Sequence, residues 1–281
     1  MNHADVYYRC DDGLHLYARD YAGPHEGAPA ILCLPGLTRN SKDFAALAEH
    51  LRLRNRVICP DLRGRGRSER DPDPARYRPD VYIADMWTLA DVLRLQSFSI
   101  IGTSLGGLIA MMMTAQTPAR IDRIVINDIG PEIDPKGIAR ISGYVGKSAP
   151  VVTWKDAARQ TAEINRVAFP DYGDADWMAM ARNVYIQEGA APVLDYDPMI
   201  SRGLATGSAA PNLWPLFDAL APKPVLALRG ALSDMLSAAT FAQMKVRHTR
   251  LEAVVVPARG HAPALDEPEA ITAIGRFFAM A

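Results

Sequence analysis

The chain has 281 residues, with 31 Lys and Arg against 32 Asp and Glu, which gives a formal net charge of −1. Hydrophobic residues make up 49% and charged residues 22%, which indicates a globular protein with a large core and argues against a nucleic-acid or membrane partner. No secretion signal or membrane-length apolar stretch is visible, and three dispersed cysteines suit a reducing compartment. The sequence therefore predicts a cytoplasmic protein.

The first half of the chain alternates short β-branched runs with longer helical patterns, which is typical of βαβ units and a parallel sheet. Before that rhythm begins, two alternating segments flank the turn signal DDG at 11–13, so an antiparallel hairpin is expected first. Buried strands are predicted within AILCLPG (30–36), NRVICPDLRG (55–64), SFSIIGTS (97–104) and IDRIVINDIG (121–130). Helices are predicted within FAALAEHLR (44–52), YIADMWTLADVLRL (82–95) and GLIAMMMTAQ (107–116).

The strand rhythm stops after residue 130 and resumes near residue 212. Between these points, helical patterns are broken by Pro, Gly and Asp, which predicts a helical cap over residues 131–211. Strands and helices then return in PVLALRG (224–230), AATFAQMKVR (238–247), LEAVVVPARG (251–260) and PEAITAIGRFFAM (268–280). We expect one α/β core formed by residues 1–130 and 212–281, with the cap inserted into it.

One serine lies between a predicted strand and a predicted helix, framed by glycines in Gly102-Thr103-Ser104-Leu105-Gly106. A turn tight enough to raise a serine hydroxyl above the sheet needs a strained backbone, and side chains two residues away on either side would obstruct it. The amides at the start of the helix also favour developing negative charge. This context predicts that Ser104 is a nucleophile.

A serine hydroxyl needs a histidine base and an acid that orients the histidine. Of the six histidines, His261 follows the last predicted strand and lies on a loop bounded by Gly260 and Pro263. Two acids are candidates: Asp234 follows the preceding strand, and Asp128 ends the strand after the serine. We favour Asp234, because its loop should lie beside that of His261, and keep Asp128 as the alternative.

These motifs together resemble the α/β-hydrolase fold superfamily over nearly the whole chain. The resemblance implies an α/β fold with a mostly parallel sheet flanked by helices and a helical cap insertion. LCLPGLTRN (32–40) is similar to the family's oxyanion loop, so the backbone amides of Leu37 and Leu105 are expected to bind an oxyanion. Pro35 departs from the pattern, since many members have His at this position, but an amide at Pro35 is not needed.

By the same analogy, aromatic residues in or near the cap are expected to line an apolar substrate pocket. Arg39, beside the oxyanion loop, is a further candidate that could bind a substrate carboxylate. RGRGRS (63–68) lacks the features of a phosphate or nucleic-acid loop and is interpreted as a structural turn. No histidine or cysteine spacing indicates a metal, and no cofactor is expected. The aromatic candidates are Tyr144, Trp154, Tyr185 and Trp214.

We therefore expect a serine hydrolase that cleaves a carboxylic ester or lactone through an acyl-enzyme, with a small-molecule substrate. The alternatives are hydrolysis of a carbon–carbon bond in a ring-cleavage product, cofactor-free dioxygenation, and a non-catalytic binding protein on the same fold. A homodimer is left open by the sequence.

Overall fold

The computed structural model describes residues 2–203 and 212–279. An eight-stranded sheet lies at the centre, with strand order β1-β2-β4-β3-β5-β6-β9-β10. β2 is antiparallel to both of its neighbours and all other pairs are parallel, so the expected opening hairpin and mostly parallel sheet are confirmed. The strands are β1 (Ala4–Arg9), β2 (His15–Tyr21), β3 (Ala30–Leu34), β4 (Arg56–Asp61), β5 (Phe98–Thr103), β6 (Ile121–Asn127), β9 (Val225–Gly230) and β10 (Leu251–Val256).

Helices cover both faces of the sheet, because its central strands are apolar on both faces. All five residues of β3 are buried. One apolar layer joins the sheet to α1 (Ala45–Leu51) and α9 (Pro268–Ala279). The opposite layer contains the helices α2 (Pro79–Val92), α3 (Leu105–Gln116), α7 (Trp214–Asp218) and α8 (Ala238–Arg247).

Between β6 and residue 203, the described chain contains three α-helices and a short hairpin. The helices are α4 (Pro135–Tyr144), α5 (Trp154–Asn165) and α6 (Asp174–Val184), and the hairpin pairs β7 (Tyr185–Glu188) with β8 (Ala191–Leu194). An apolar cluster of its own joins α5 and α6. Residues 204–211, the end of the predicted cap, lie outside the described residues.

The hairpin corrects the sequence interpretation, which expected the cap to be helical. The helix α6 stops at Val184 because the following aromatic and β-branched residues pair with β8. Gly189 makes the reversal possible with a left-handed φ of 57°. The residue after the hairpin bonds to the turn that follows β4, since the amide of Gly66 donates to the carbonyl of Asp195 at 2.9 Å.

Within the described part of the chain, none of the helices is both long and apolar enough to cross a membrane.

Candidate active site

Ser104 lies in the sharp turn between β5 and α3, as its glycine frame predicts. Its backbone is left-handed, with φ 53° and ψ −115°, a conformation in which a non-glycine residue is strained. A Cβ on Gly106 would lie 2.1 Å from the carbonyl oxygen of Leu34, and one on Gly102 would lie 2.3 Å from the carbonyl of Gly106. The turn therefore has no room for side chains at either glycine position.

A hydrogen-bonded chain runs from Ser104 through His261 to Asp128. His261 Nε2 is 2.8 Å from Ser104 Oγ, and His261 Nδ1 is 2.8 Å from Asp128 Oδ2. An ionised carboxylate can only accept, so Nδ1 carries the proton and Nε2 is free to accept from the serine hydroxyl. The imidazole is thus in the tautomer that a general base requires.

Asp128 is held by the loop that follows β9. Its Oδ1 accepts from the amide of Gly230 at 2.8 Å, and its Oδ2 accepts from the hydroxyl of Ser233 at 2.6 Å as well as from His261. The side chain is fully buried, and the backbone has a left-handed φ of 56°. The strained residues Ser104 and Asp128 end neighbouring strands at the same edge of the sheet, where strain is common at functional sites.

The structure does not bring Asp234, the favoured acid, into contact with His261. Asp234 forms a two-bond ion pair with Arg140 of α4, at 2.6 and 2.9 Å, and this partner lowers the pKa of its carboxyl group. The loop after β9 presents Ser233 to Asp128 and turns the next side chain towards α4. The preference for Asp234 as the partner of His261 was therefore wrong, and the alternative, Asp128, occupies that position.

Asn127 ties the serine and histidine segments together and was missed by the sequence analysis. Its carbonyl accepts from the amide of Ser104 at 2.9 Å. Its side-chain Nδ2 donates to Thr103 Oγ1 at 3.1 Å and to the carbonyl of Pro263, two residues after His261, at 2.9 Å. A buried asparagine at the end of an apolar strand was the available signal, because a buried amide needs partners.

The expected oxyanion loop lies beside the serine. A Cβ on Gly36 would be 3.8 Å from Ser104 Cβ, so the 35–39 turn lies close to Ser104. Leu105 begins α3 immediately after Ser104, where a helix leaves its amides without intrahelical acceptors. Among the described residues, neither the amide of Leu37 nor that of Leu105 donates a hydrogen bond. Both amides are therefore available to a ligand.

A cavity of about 450 Å³ opens onto Ser104 and His261. Three of the five candidate substrate-binding residues line it, namely Arg39, Tyr144 and Tyr185. Burial raises the pKa of Tyr185 to about 12 and also raises that of Tyr144, so both phenols stay neutral at pH 7. The charge of Arg39 is already balanced by Asp43, at 2.5 and 2.8 Å, which weakens the case for a substrate carboxylate there.

The two tryptophan candidates lie away from the cavity. The indole of Trp154 donates to Gln187 at 2.7 Å and carries a guanidinium over its ring, and the indole of Trp214 donates to Glu132 at 2.7 Å. Both N–H groups therefore face polar side chains on the outside of the fold. The prediction that Trp154 and Trp214 line the pocket was wrong, whereas Tyr172 and Tyr196, which were not predicted, do line it.

In residues 2–203 and 212–279, no group of three His, Cys, Asp or Glu side chains is arranged to hold a metal ion.

Comparison with known proteins agrees with the fold. The sequence model of the alpha/beta hydrolase fold family matches residues 29–174. A 3-hydroxybutyrate-oligomer hydrolase from Cupriavidus necator is 34% identical over 278 residues, which cover 95% of this chain and 94% of that protein. The chain belongs to the alpha/beta hydrolase fold family, and it is a hydrolase.

Solved structures are similar over the full chain. An alpha/beta hydrolase from Novosphingobium aromaticivorans superposes with a TM-score of 0.94 at 43% identity, covering 100% of this chain and 99% of that one. E-2-(acetamidomethylene)succinate hydrolase superposes with a TM-score of 0.82 at 25% identity, covering 98% and 100%. The architecture described above is therefore shared with enzymes of the family along its whole length.

Proposed function

We propose that this protein is a carboxylic ester hydrolase that works through an acyl-enzyme on Ser104. The observation that carries the proposal is the unbroken hydrogen-bonded chain from Ser104 Oγ through His261 to the buried carboxylate of Asp128. A histidine in this tautomer accepts the serine proton as the oxygen attacks a carbonyl carbon, and the carboxylate stabilises the imidazolium that forms.

The reaction begins when Ser104 Oγ attacks the ester carbonyl and its proton passes to His261 Nε2. The carbonyl oxygen becomes an oxyanion, which the amides of Leu37 and Leu105 stabilise by hydrogen bonds. The tetrahedral intermediate collapses, and His261 donates its proton to the departing alkoxide. Water then attacks the acyl-enzyme with His261 as base, and a second collapse releases the acid and restores Ser104.

We assign residues 131–211 the role of a cap, because many side chains of α4, α5, α6 and the hairpin line the cavity above Ser104. The cavity volume of about 450 Å³ exceeds what a simple acetyl ester needs. The relative from Cupriavidus necator, similar along nearly its whole length, is named for 3-hydroxybutyrate oligomers. A short oligoester of a hydroxy acid is therefore the substrate we propose.

The test is hydrolysis of the 3-hydroxybutyrate dimer and of its methyl ester, followed by chromatography of the products. The wild-type protein should release monomer, and Ser104→Ala should abolish release. Ser142→Ala, at a half-buried position of α4 that does not line the cavity, should leave the rate unchanged. A wild-type protein that cleaves a carbon–carbon bond of a ring-cleavage product but no ester, and loses this activity in Ser104→Ala, would instead support the ring-cleavage alternative.

Two further outcomes separate the remaining alternatives. Oxygen consumption that persists in Ser104→Ala but stops in His261→Ala would indicate cofactor-free oxygenation, in which the histidine alone acts as base. Ligand binding without turnover in the wild-type protein would indicate a binding protein on the same fold.

A further inference from the structure

Arg65 is a buried arginine without a carboxylate partner among the described residues. Its exposed fraction is 1%, the same as that of Arg63 two positions earlier in the same turn. The two side chains nevertheless differ in their surroundings. Arg63 forms ion pairs with Asp12, Asp71 and Asp85, whereas Arg65 forms none within the described ranges.

The guanidinium of Arg65 bonds to neutral oxygens, and one of them belongs to the oxyanion loop. Its Nε donates to the carbonyl of Leu37 at 2.9 Å, and its Nη1 donates to the carbonyl of Arg63 at 2.6 Å and to the hydroxyl of Tyr82 at 3.0 Å. The rings of Tyr77 and Tyr82 lie 5.6 and 5.0 Å from its central carbon. The buried Nη2 has no hydrogen-bond partner in the described part of the protein.

These contacts of Arg65 do little to stabilise the fold. Burying a charge without an opposite charge is unfavourable, and carbonyl and aromatic contacts offset only part of the lost hydration. Local rules of this kind are broken most often at functional sites. The contact with Leu37 is the one that connects Arg65 to such a site.

We propose that Arg65 is a positioning residue that orients the Leu37 peptide for oxyanion binding. This inference rests on the proposed function, in which the Leu37 amide binds the oxyanion. The amide and the carbonyl of Leu37 belong to adjacent peptides that share one Cα, so fixing the carbonyl restricts how the amide can turn.

Leu37 needs such an anchor, because it follows the flexible residue Gly36. The hydrogen bond within the loop, from the amide of Arg39 to the carbonyl of Gly36 at 3.1 Å, does not connect the loop to the rest of the fold. Arg65 comes from the turn after β4 and ties the loop to the core of the fold. An amide that is misplaced by a fraction of an ångström stabilises the transition state less while ground-state binding is unaffected.

The experiment compares Arg65→Lys with the matched control Arg63→Lys. For each variant, urea unfolding gives stability, and p-nitrophenyl acetate hydrolysis gives kcat and KM. The inhibition constant of a trifluoromethyl ketone, which Ser104 converts into a tetrahedral oxyanion, reports the oxyanion site directly. Ketone affinity separates positioning from a merely structural role, because a loss of stability does not by itself change it in folded protein.

Arg65→Lys should lower kcat by roughly 10- to 100-fold and raise the ketone inhibition constant by a similar factor, while KM changes less than about 3-fold. Arg63→Lys should lose at least as much stability, because it disrupts three ion pairs, yet keep kcat and the ketone constant within about 3-fold of wild type. Wild-type kcat and ketone affinity in folded Arg65→Lys would overturn the inference. Equal losses in both variants would also overturn it.

If Arg65→Lys does not fold, Tyr82→Phe serves as the second variant, since it removes one hydrogen bond to the guanidinium without contact with Leu37. Parallel changes in kcat and ketone affinity then support the inference, and unchanged values overturn it. A wild-type protein that neither cleaves the ester nor binds the ketone overturns the proposed function itself, and this inference with it.

Discussion

Replacing Asp128 with asparagine removes one charge from the site while keeping the shape of the side chain. The carboxylate now accepts three hydrogen bonds, one at Oδ1 from Gly230 and two at Oδ2 from Ser233 and His261. An asparagine has one accepting oxygen and one NH2 group, which can only donate. The substituted side chain therefore cannot accept hydrogen bonds from both the amide of Gly230 and His261.

Either orientation of the amide carries a cost. With its oxygen towards His261, the NH2 group faces the amide of Gly230, and an unsatisfied buried donor costs about 1–3 kcal/mol. With its NH2 group towards His261, Nδ1 must accept, which moves the imidazole proton to Nε2. In that tautomer the ring cannot accept the proton of Ser104. The second orientation avoids the clash at Gly230, so we expect the wrong tautomer to dominate.

The corresponding substitution in a well-studied Ser-His-Asp triad lowers kcat roughly 10⁴-fold, which corresponds to about 5 kcal/mol of transition-state stabilisation. We expect Asp128→Asn to lower kcat by roughly 10³- to 10⁴-fold on the same grounds, with little change in KM. Steady-state hydrolysis of p-nitrophenyl acetate measures both constants. The matched control is Asp234→Asn, which should keep kcat within about 3-fold of wild type, because its carboxylate does not contact His261. A large loss in Asp234→Asn, or an Asp128→Asn enzyme with more than a tenth of wild-type kcat, would refute the assignment.

Three other predictions concern the turn, the ion pair beside the site and the histidine. Gly106→Ala should lower the unfolding free energy by about 2 kcal/mol or more, because the new Cβ overlaps a carbonyl of β3; Gly143→Ala, which meets nothing within 4 Å in α4, should instead add up to about 1 kcal/mol. Arg140 lowers the pKa of Asp234, so the pair should stabilise the fold by about 0.5–1 kcal/mol at pH 7. Urea unfolding of wild type and Asp234→Asn measures this contribution as a difference in unfolding free energy. The difference should be present at pH values above the ordinary carboxyl pKa and should vanish as the pH falls through the lowered pKa of Asp234 in the folded protein. Because a protonated His261 cannot accept a proton, kcat/KM should fall on acidification.

Each of these results has an outcome that contradicts it. Equal stability of the two glycine variants would mean that the turn has room for a Cβ. A stability difference for Asp234→Asn that persists in acid would point to packing in place of the ion pair. A pH profile that stays flat down to pH 4 would exclude a histidine base.

The sequence was sufficient to locate the serine turn and the histidine, because both depend on local signals. Gly102 and Gly106 mark a turn that admits no side chains, and His261 is the histidine that follows the last strand. The parallel sheet and the opening hairpin follow in the same way from the alternation of apolar residues.

The acid could not be chosen from the sequence, because the choice depends on how one loop turns. Ser233 and Asp234 are neighbours, and the structure directs the first towards Asp128 and the second towards Arg140 on α4. The order and spacing of these residues along the chain are the same whether Asp128 or Asp234 contacts His261. Such a one-residue difference is decided by packing between the insertion and the core, where a Cβ on Gly137 would come within 2.7 Å of the Asp234 carbonyl.

The lining of the cavity was also only partly predictable. Aromatic residues in or near the insertion were candidates by analogy with the family, but their direction depends on the packing of α5, α6 and the hairpin. Tyr185 lines the cavity from a strand, within the segment that the sequence predicted to be a helical cap. Trp154, at the first position of α5, instead meets Gln187 and a guanidinium outside the cavity.

The most direct test of the central claim is intact-mass spectrometry after incubation with a small fluorophosphonate, followed by peptide mapping. An activated serine should give one covalent adduct, confined to Ser104 and missing from both Ser104→Ala and His261→Ala. Folded wild-type protein without an adduct, or an adduct on another residue, would contradict the assignment of Ser104 as the nucleophile.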